Sequence, residues 1–137
     1  MTPEEMRTRL ATAPVGRLAT LDPDGSPNVV PFVFALIGDT LYSTVDAKPK
    51  RSTRLQRLVN LERDPRATIL ADHYEDDWGR LWWVRVRGTG RRVDDAGEAA
   101  RAVTALRAMY SQYARTDPGE IVFAIDLAAW RGWAWED

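Results

Sequence analysis

Apolar and polar positions alternate with two different periods along this chain, and the places where one period yields to the other mark its elements. Met6, Leu10 and Ala13 recur at helical spacing behind Thr2-Pro3-Glu4-Glu5. Threonine there serves as a cap, proline occupies the first helical position, and Glu5 is placed to close a capping box. A short amphipathic helix ending near Pro14 is expected. Small and β-branched residues over 15–21 predict a strand. Asp22-Pro23-Asp24-Gly25-Ser26 is turn chemistry, because proline presets φ and glycine accepts a positive one. Residues 27–36 read as the returning strand and, past Gly38-Asp39, residues 41–45 as a third. The opening is therefore expected to be a helix followed by a meander.

A loop over 46–50 leads into a predicted helix at 51–61, where Leu55, Leu58 and Val59 form a narrow apolar stripe. Arg51, Arg54 and Arg57 sit beside that stripe. Asp64-Pro65 stops the helix, residues 67–71 form a strand, and residues 73–79 an acidic loop. The longest strand is expected over 81–93. Trp82, Val84 and Val86 share one face of it, and Trp83, Arg85 and Arg87 the other. Gly88 and Gly90 supply the bend or bulge that closing a barrel requires. Asp94-Asp95 cap a helix from about residue 96 to 113, residues 115–119 form a loop, and two strands follow at 121–127 and 133–136. A tight connection around Arg131-Gly132 joins those two. No strand–helix–strand repeat at regular spacing supports a doubly wound sheet. The fold expected is mainly β, an antiparallel barrel with peripheral helices, with residues 1–137 making one domain.

Composition narrows the chemistry. The chain has no cysteine, which removes thiol nucleophiles, disulfides and cysteine-held metals. His73 is the sole histidine, so multi-histidine metal sites are excluded. A net charge of −1 gives no global attraction to nucleic acid. No apolar run approaches the roughly 20 residues of a membrane span, and the polar, acidic start lacks the features of a signal peptide. A cytoplasmic protein acting on a small molecule, without a nucleic-acid or membrane partner, is expected. Charge is nevertheless uneven. Lys48, Lys50, Arg51, Arg54, Arg57, Arg63 and Arg66 crowd one segment against only Glu62 and Asp64.

That segment carries the chemistry. Tyr42-Ser43-Thr44 ends a strand with two hydroxyls, and Lys48, Lys50 and Arg51 follow at the start of a helix. Helix N-termini favour phosphate through free N–H groups and partial positive charge. Lysine and arginine add charge-assisted hydrogen bonds. The residues alone are equally consistent with a solvated basic loop. Asp22, Asp24, Asp39, Asp94 and Asp95 read as turn or cap residues. Asp72, Glu75, Asp76 and Asp77 lack the turn glycine of a calcium loop. Trp130, Trp133 and Trp135 read as core or interface aromatics, with pocket lining as the alternative, and at most one of Trp82 and Trp83 reaches a cleft.

Five pieces in order resemble the pyridoxamine-phosphate-oxidase-like split-barrel family. They are Val15-Gly16-Arg17-Leu18-Ala19-Thr20-Leu21 with Asp24-Gly25-Ser26-Pro27, then Pro27-Asn28-Val29-Val30-Pro31-Phe32-Val33, Tyr42-Ser43-Thr44, Lys50-Arg51, and Asp64-Pro65-Arg66-Ala67-Thr68. The segment from Trp78 through Trp82-Trp83-Val84-Arg85-Val86-Arg87-Gly88 is similar to the actinobacterial F420-dependent branch. The resemblance implies an FMN-binding type of split barrel, a homodimer, and a cofactor at the dimer interface. It places the cofactor phosphate on Lys50 and Arg51, with Lys48 or Arg54 assisting. It sets Ser43 and Thr44 beside the ribityl chain, and the backbone of Val30, Pro31, Phe32 and Val33 along the ring. Flavin-binding members often carry arginine where this chain has Val30, which favours the deazaflavin F420 over FMN. The arginine–histidine pair that binds substrate in the pyridoxamine phosphate oxidases has no counterpart here. The implied activity is an F420-dependent oxidoreductase acting on a small conjugated or unsaturated substrate. The alternatives are an FMN-dependent enzyme, or a flavin- or haem-binding protein without turnover. The cofactor ring performs the hydride transfer, so the reading names no catalytic residue.

Overall fold

The structure is a computed structural model and describes residues 1–45, 53–119 and 121–135. The capping box forms as the sequence predicts. Thr2 Oγ1 accepts the Glu5 amide at 3.1 Å and the Glu5 carboxylate accepts the Thr2 amide at 3.0 Å, starting α1 (Pro3–Thr12). Then come β1 (Gly16–Leu21), β2 (Pro27–Phe32), β3 (Ala35–Ile37), β4 (Thr40–Val45), α2 (Thr53–Arg63) and β5 (Arg66–His73). The chain continues with β6 (Trp82–Arg92), α3 (Ala96–Met109) and β7 (Ile121–Ala134). No helix among the described residues is long and apolar enough to cross a membrane.

The strands form one antiparallel sheet in the order β2-β1-β5-β6-β7-β4-β3. β2 and β3 stand at opposite ends of it, yet only Val33 and Phe34 separate them in sequence. Three Cα steps span at most about 11 Å. The two ends of the sheet must therefore come together, and the sheet closes into a barrel split between β2 and β3. Leu10, Leu18, Phe34, Leu41, Ile69 and Phe123 fill its interior. α2 lies against β1, β4 and β6 and contributes Leu58 and Leu61 to the same core. The mainly β, antiparallel split barrel expected from the sequence is the fold observed.

Local expectations fare differently. The expected meander is instead two hairpins, β1–β2 and β3–β4, at the two sheet ends. The expected strand over 27–36 breaks at Val33-Phe34, where the Tyr110 hydroxyl accepts the Phe34 amide proton at 3.1 Å. Proline at 27 and 31 keeps β2 at an edge, since a central strand needs every amide. The two strands expected at the C-terminus are one. Gly132 does not turn but opposes Val84, and a Cβ there would stand 2.8 Å from Met6 Cγ, so the glycine admits α1. The α2 stripe is also rotated: Val59 is 53% exposed, and Arg57, Leu58, Asn60 and Leu61 form the buried face. The long helix ends at Met109, and residues 111–114 form a separate 3-10 turn.

Candidate functional site

The sequence-predicted residues fall into three groups. Lys48, Lys50 and Arg51 lie outside the described residues, as does the side chain of Arg54. Their segment leads directly into α2, whose first turn contains no acidic residue. Ser43 and Thr44 are buried on opposite faces of β4, and both hydroxyls donate to backbone carbonyls. Ser43 Oγ donates to the Val33 carbonyl at 2.7 Å and Thr44 Oγ1 to the Pro118 carbonyl at 2.6 Å. Their oxygens keep acceptor capacity. Arg57, buried beneath this strand, reaches the Thr44 carbonyl at 3.5 Å and lies over the Phe123 ring.

Val30 to Val33 do not share one surface. Val30 packs against the core, and Phe32 is buried with its ring 5.0 Å from that of Phe34. Pro31 faces outward, directly opposite Arg17. Val33 belongs to the break in the sheet, where Ser43 holds its carbonyl and Tyr110 holds the backbone of the next residue, Phe34. The Tyr110 hydroxyl turns its own proton toward the carbonyls of Phe34 and Pro14, 3.0 and 3.1 Å away. Burial raises the Tyr110 hydroxyl above its ordinary pKa. The structure thus joins Val33 and Ser43 at the barrel's split and adds Tyr110 from the end of α3.

A second region contains Trp83, the one of the tryptophan pair that reaches a cleft. On the outer face of β1, β5 and β6, a cleft of about 610 Å³ is lined by Arg17, Ala19, Leu70, Trp83 and Arg85, with Val29 of β2 and Tyr74 at its rim. Val29 is 61% and Tyr74 62% exposed. Asp72 is the acidic residue in its lining. The alternation of β6 supplies part of this face: Val84 and Val86 are fully buried, so Trp83 and Arg85 project outward, as the sequence pattern predicts. Signals for the rest existed in Arg17 and Val29, which alternate against the buried Leu18 and the half-buried Val30.

Elsewhere one charge network is closed. Arg91 forks onto Glu98 at 2.9 and 2.7 Å and reaches Asp126 at 2.8 Å. Tyr42 donates to Glu98 at 2.6 Å. Hydrogen bonds from Arg91 and then Tyr42 hold Glu98 down to about 2. His73, at the end of β5, is engaged with Glu75. No cluster of acidic or histidine side chains suited to a metal occurs among the described residues.

The family model for pyridoxamine 5'-phosphate oxidase matches residues 2–134. The chain belongs to the pyridoxamine 5'-phosphate oxidase family. Among solved members of this fold, a conserved hypothetical protein from Mycobacterium tuberculosis is similar over 98% of this chain and 85% of its own, with a TM-score of 0.79 and 23% identity. A heme binding protein from Mycobacterium smegmatis matches 100% of this chain and 57% of its own, with a TM-score of 0.80 and 24% identity. A FAD-binding protein from Mesorhizobium loti matches 96% and 94%, with a TM-score of 0.73 and 22% identity. At such identities the likeness is one of fold. SPRY domain-containing protein 3 of Homo sapiens is 39% identical over 84 residues, 55% of this chain. The chain spans 19% of the length of that curated relative.

Proposed function

We propose that this member of the pyridoxamine 5'-phosphate oxidase family is an oxidoreductase that works as a homodimer with a flavin-type cofactor, F420 in the first place, and a small conjugated substrate. The observation that carries the reading is the start of α2. Three cations, Lys48, Lys50 and Arg51, immediately precede a helix whose first turn holds no carboxylate. That combination suits a phosphate. The family resemblance assigns the cofactor phosphate to this same segment.

The segment before α2 and the strand β4 beside it divide the work under this reading. Lys50 and Arg51 would hold the phosphate, with Lys48 or Arg54 assisting. Ser43 and Thr44 retain acceptor oxygens for hydroxyls of a sugar-like chain, because their protons are already committed to Val33 and Pro118. The backbone of Val30 to Val33 would flank the ring, and Ser43 and Tyr110 fix where that segment bends. When bound, the cofactor supplies the hydride chemistry. The chain's task is to bind, orient and exclude water. An apolar Val30 favours F420 over FMN. Haem binding is the weaker reading: the sole histidine, His73, is engaged with Glu75 and so poorly suited to an axial role.

Titrating the protein separately with oxidised F420 and FMN, and following ligand fluorescence, tests the proposal. Tighter F420 binding that Lys50→Ala/Arg51→Ala loses at least tenfold is the expected result. Tighter FMN binding moves the protein to the flavin branch. No binding of either at tens of micromolar overturns the reading.

A further inference from the structure

α2 buries one amide completely. Asn60 has no exposed surface, and both donors and both acceptor positions of its side chain are used. Its NH2 group donates to Thr20 Oγ1 at 3.0 Å and to an Asp22 carboxylate oxygen at 2.9 Å. Its carbonyl oxygen accepts from Gln56 at 2.9 Å and from Arg63 at 3.3 Å. Ionised Asp22 can only accept and Arg63 can only donate, so the amide has a single workable orientation. Arg63 donates in addition to the Leu21 carbonyl. α2 thus grips Thr20, Leu21 and Asp22 in succession, at the turn from β1 into β2.

Asp22 is where two elements meet. The same carboxylate oxygen accepts the Asn60 amide from α2 and, at 3.2 Å, the Asn28 amide from β2. β1 and β2 pair in one unbroken register, Thr20 against Asn28 and Leu18 against Val30. A fixed path therefore runs from α2 through Asp22 into β2 and on to Val30, Pro31 and Phe32. The apolar contacts of α2, through Leu58 and Leu61, are non-directional and allow small slides. Hydrogen bonds converging on one buried amide do not, because each is lost over a few tenths of an ångström. A fully satisfied polar network of this kind specifies one arrangement where apolar packing admits several.

The two ends of that path are the two halves of the proposed cofactor site. Lys50 and Arg51 stand just before α2 in sequence, and Asn60 lies about 10 Å along the helix from Thr53. β2 carries Val30 to Phe32 at the other end. We propose that Asn60 is a positioning residue: through Asp22 and Thr20 it sets the spacing between the phosphate-binding cations and the ring-flanking strand. Fully buried, it touches no ligand itself. Its effect is to let both ends of one cofactor be satisfied at once, a requirement for which a displacement of about 1 Å is costly. The proposal rests on the cofactor reading above and names the residue that gives that site its dimensions.

Fluorescence titration with F420 and with FO, the core of F420 that ends at the ribityl chain and carries no phosphate, tests it. The ratio of the two affinities reads how well the phosphate meets its cations once the ring is seated. Wild type should bind F420 at least about tenfold more tightly than FO. Asn60→Leu, close in size, should bring the two within about threefold and leave FO affinity within about twofold of wild type. Thr20→Val keeps the shape of its side chain, removes one acceptor and should give an intermediate ratio. On the Lys50→Ala/Arg51→Ala background, Asn60→Leu should change F420 affinity less than about twofold, because the group it acts through is gone. A merely structural amide lowers the melting temperature and leaves the ratio alone. An unchanged ratio in Asn60→Leu therefore overturns the proposal and leaves the cofactor reading standing. If that variant does not fold, an unchanged ratio in Thr20→Val does the same. Equal losses of F420 and FO affinity overturn it as well. Where FMN is the tighter ligand, the ratio of FMN to riboflavin is read in the same way. A wild type that binds none of these ligands removes the cofactor reading and the positioning role together.

Discussion

β6 carries two arginine environments, and they have opposite characters. At one end Arg91 is saturated: Glu98 and Asp126 receive its guanidinium, Tyr42 caps Glu98, and Thr40 donates to Asp126 at 3.1 Å. That corner ties α3 to β4, β6 and β7. At the other end Arg85 faces Arg131 across the strand pair, and no carboxylate among the described residues pairs with either. The same residue type on the same strand fastens the fold in one place and is left unsatisfied in the other. A satisfied charge network is structural by economy of explanation. An unsatisfied like-charge pair on an apolar face is a cost to the fold.

What separates the two ends is a bulge. The β6–β7 register shifts between Arg87 and Gly88. A Cβ on Gly88 would come within 2.3 Å of the Asp126 carbonyl oxygen, so only glycine lets the strands meet there. Gly88→Val should have the largest effect, a loss of about 3 kcal/mol in urea unfolding, because neither backbone can yield without disturbing both ends. If the variant is as stable as wild type, the bulge does not hold the two environments apart.

Arg91→Gln comes next. It leaves Glu98 and Asp126 facing each other without their cation. A loss of about 1.5 kcal/mol is expected, reduced from the value for a buried charged bond by partial exposure of the guanidinium. The same corner sets an acid limit. Glu98 ionises near 2 in the fold against an ordinary 4.5, so its contribution is complete above pH 4.5 and is lost as pH falls toward 2. Asp126, also lowered chiefly by Arg91, acts in the same direction. Urea midpoints measured across that window should fall steeply in the wild type and less steeply in Arg91→Gln. Parallel curves would show that the corner contributes little.

The sequence made the fold legible wherever one residue decides the local outcome. Thr2 and Glu5 fix the first helix, and Trp82 to Arg87 alternate cleanly because Val84 and Val86 have nowhere to go but inward. Gly132 was misread, because a glycine that admits a packed helix looks in sequence like one that turns a chain. The break at Val33-Phe34 was hidden because its cause, the Tyr110 hydroxyl, lies 76 residues away. The candidate site divides similarly. The segment proposed to hold a phosphate stands out by its cations, and it falls outside the described residues. The Asn60 junction was invisible because Thr20, Asp22 and Asn60 meet only when α2 docks on the turn from β1 into β2. Asp22 alone suggests a turn residue. Its meaning depends on what reaches it.

The most direct measurement sets Arg91→Gln and Arg131→Gln side by side in thermal unfolding. The account predicts that Arg91→Gln melts roughly 5 °C lower. It predicts that Arg131→Gln gains about 0.2–0.5 kcal/mol or stays level. If instead Arg131→Gln loses stability as Arg91→Gln does, Arg131 is part of the scaffold and the distinction between the two ends of β6 fails.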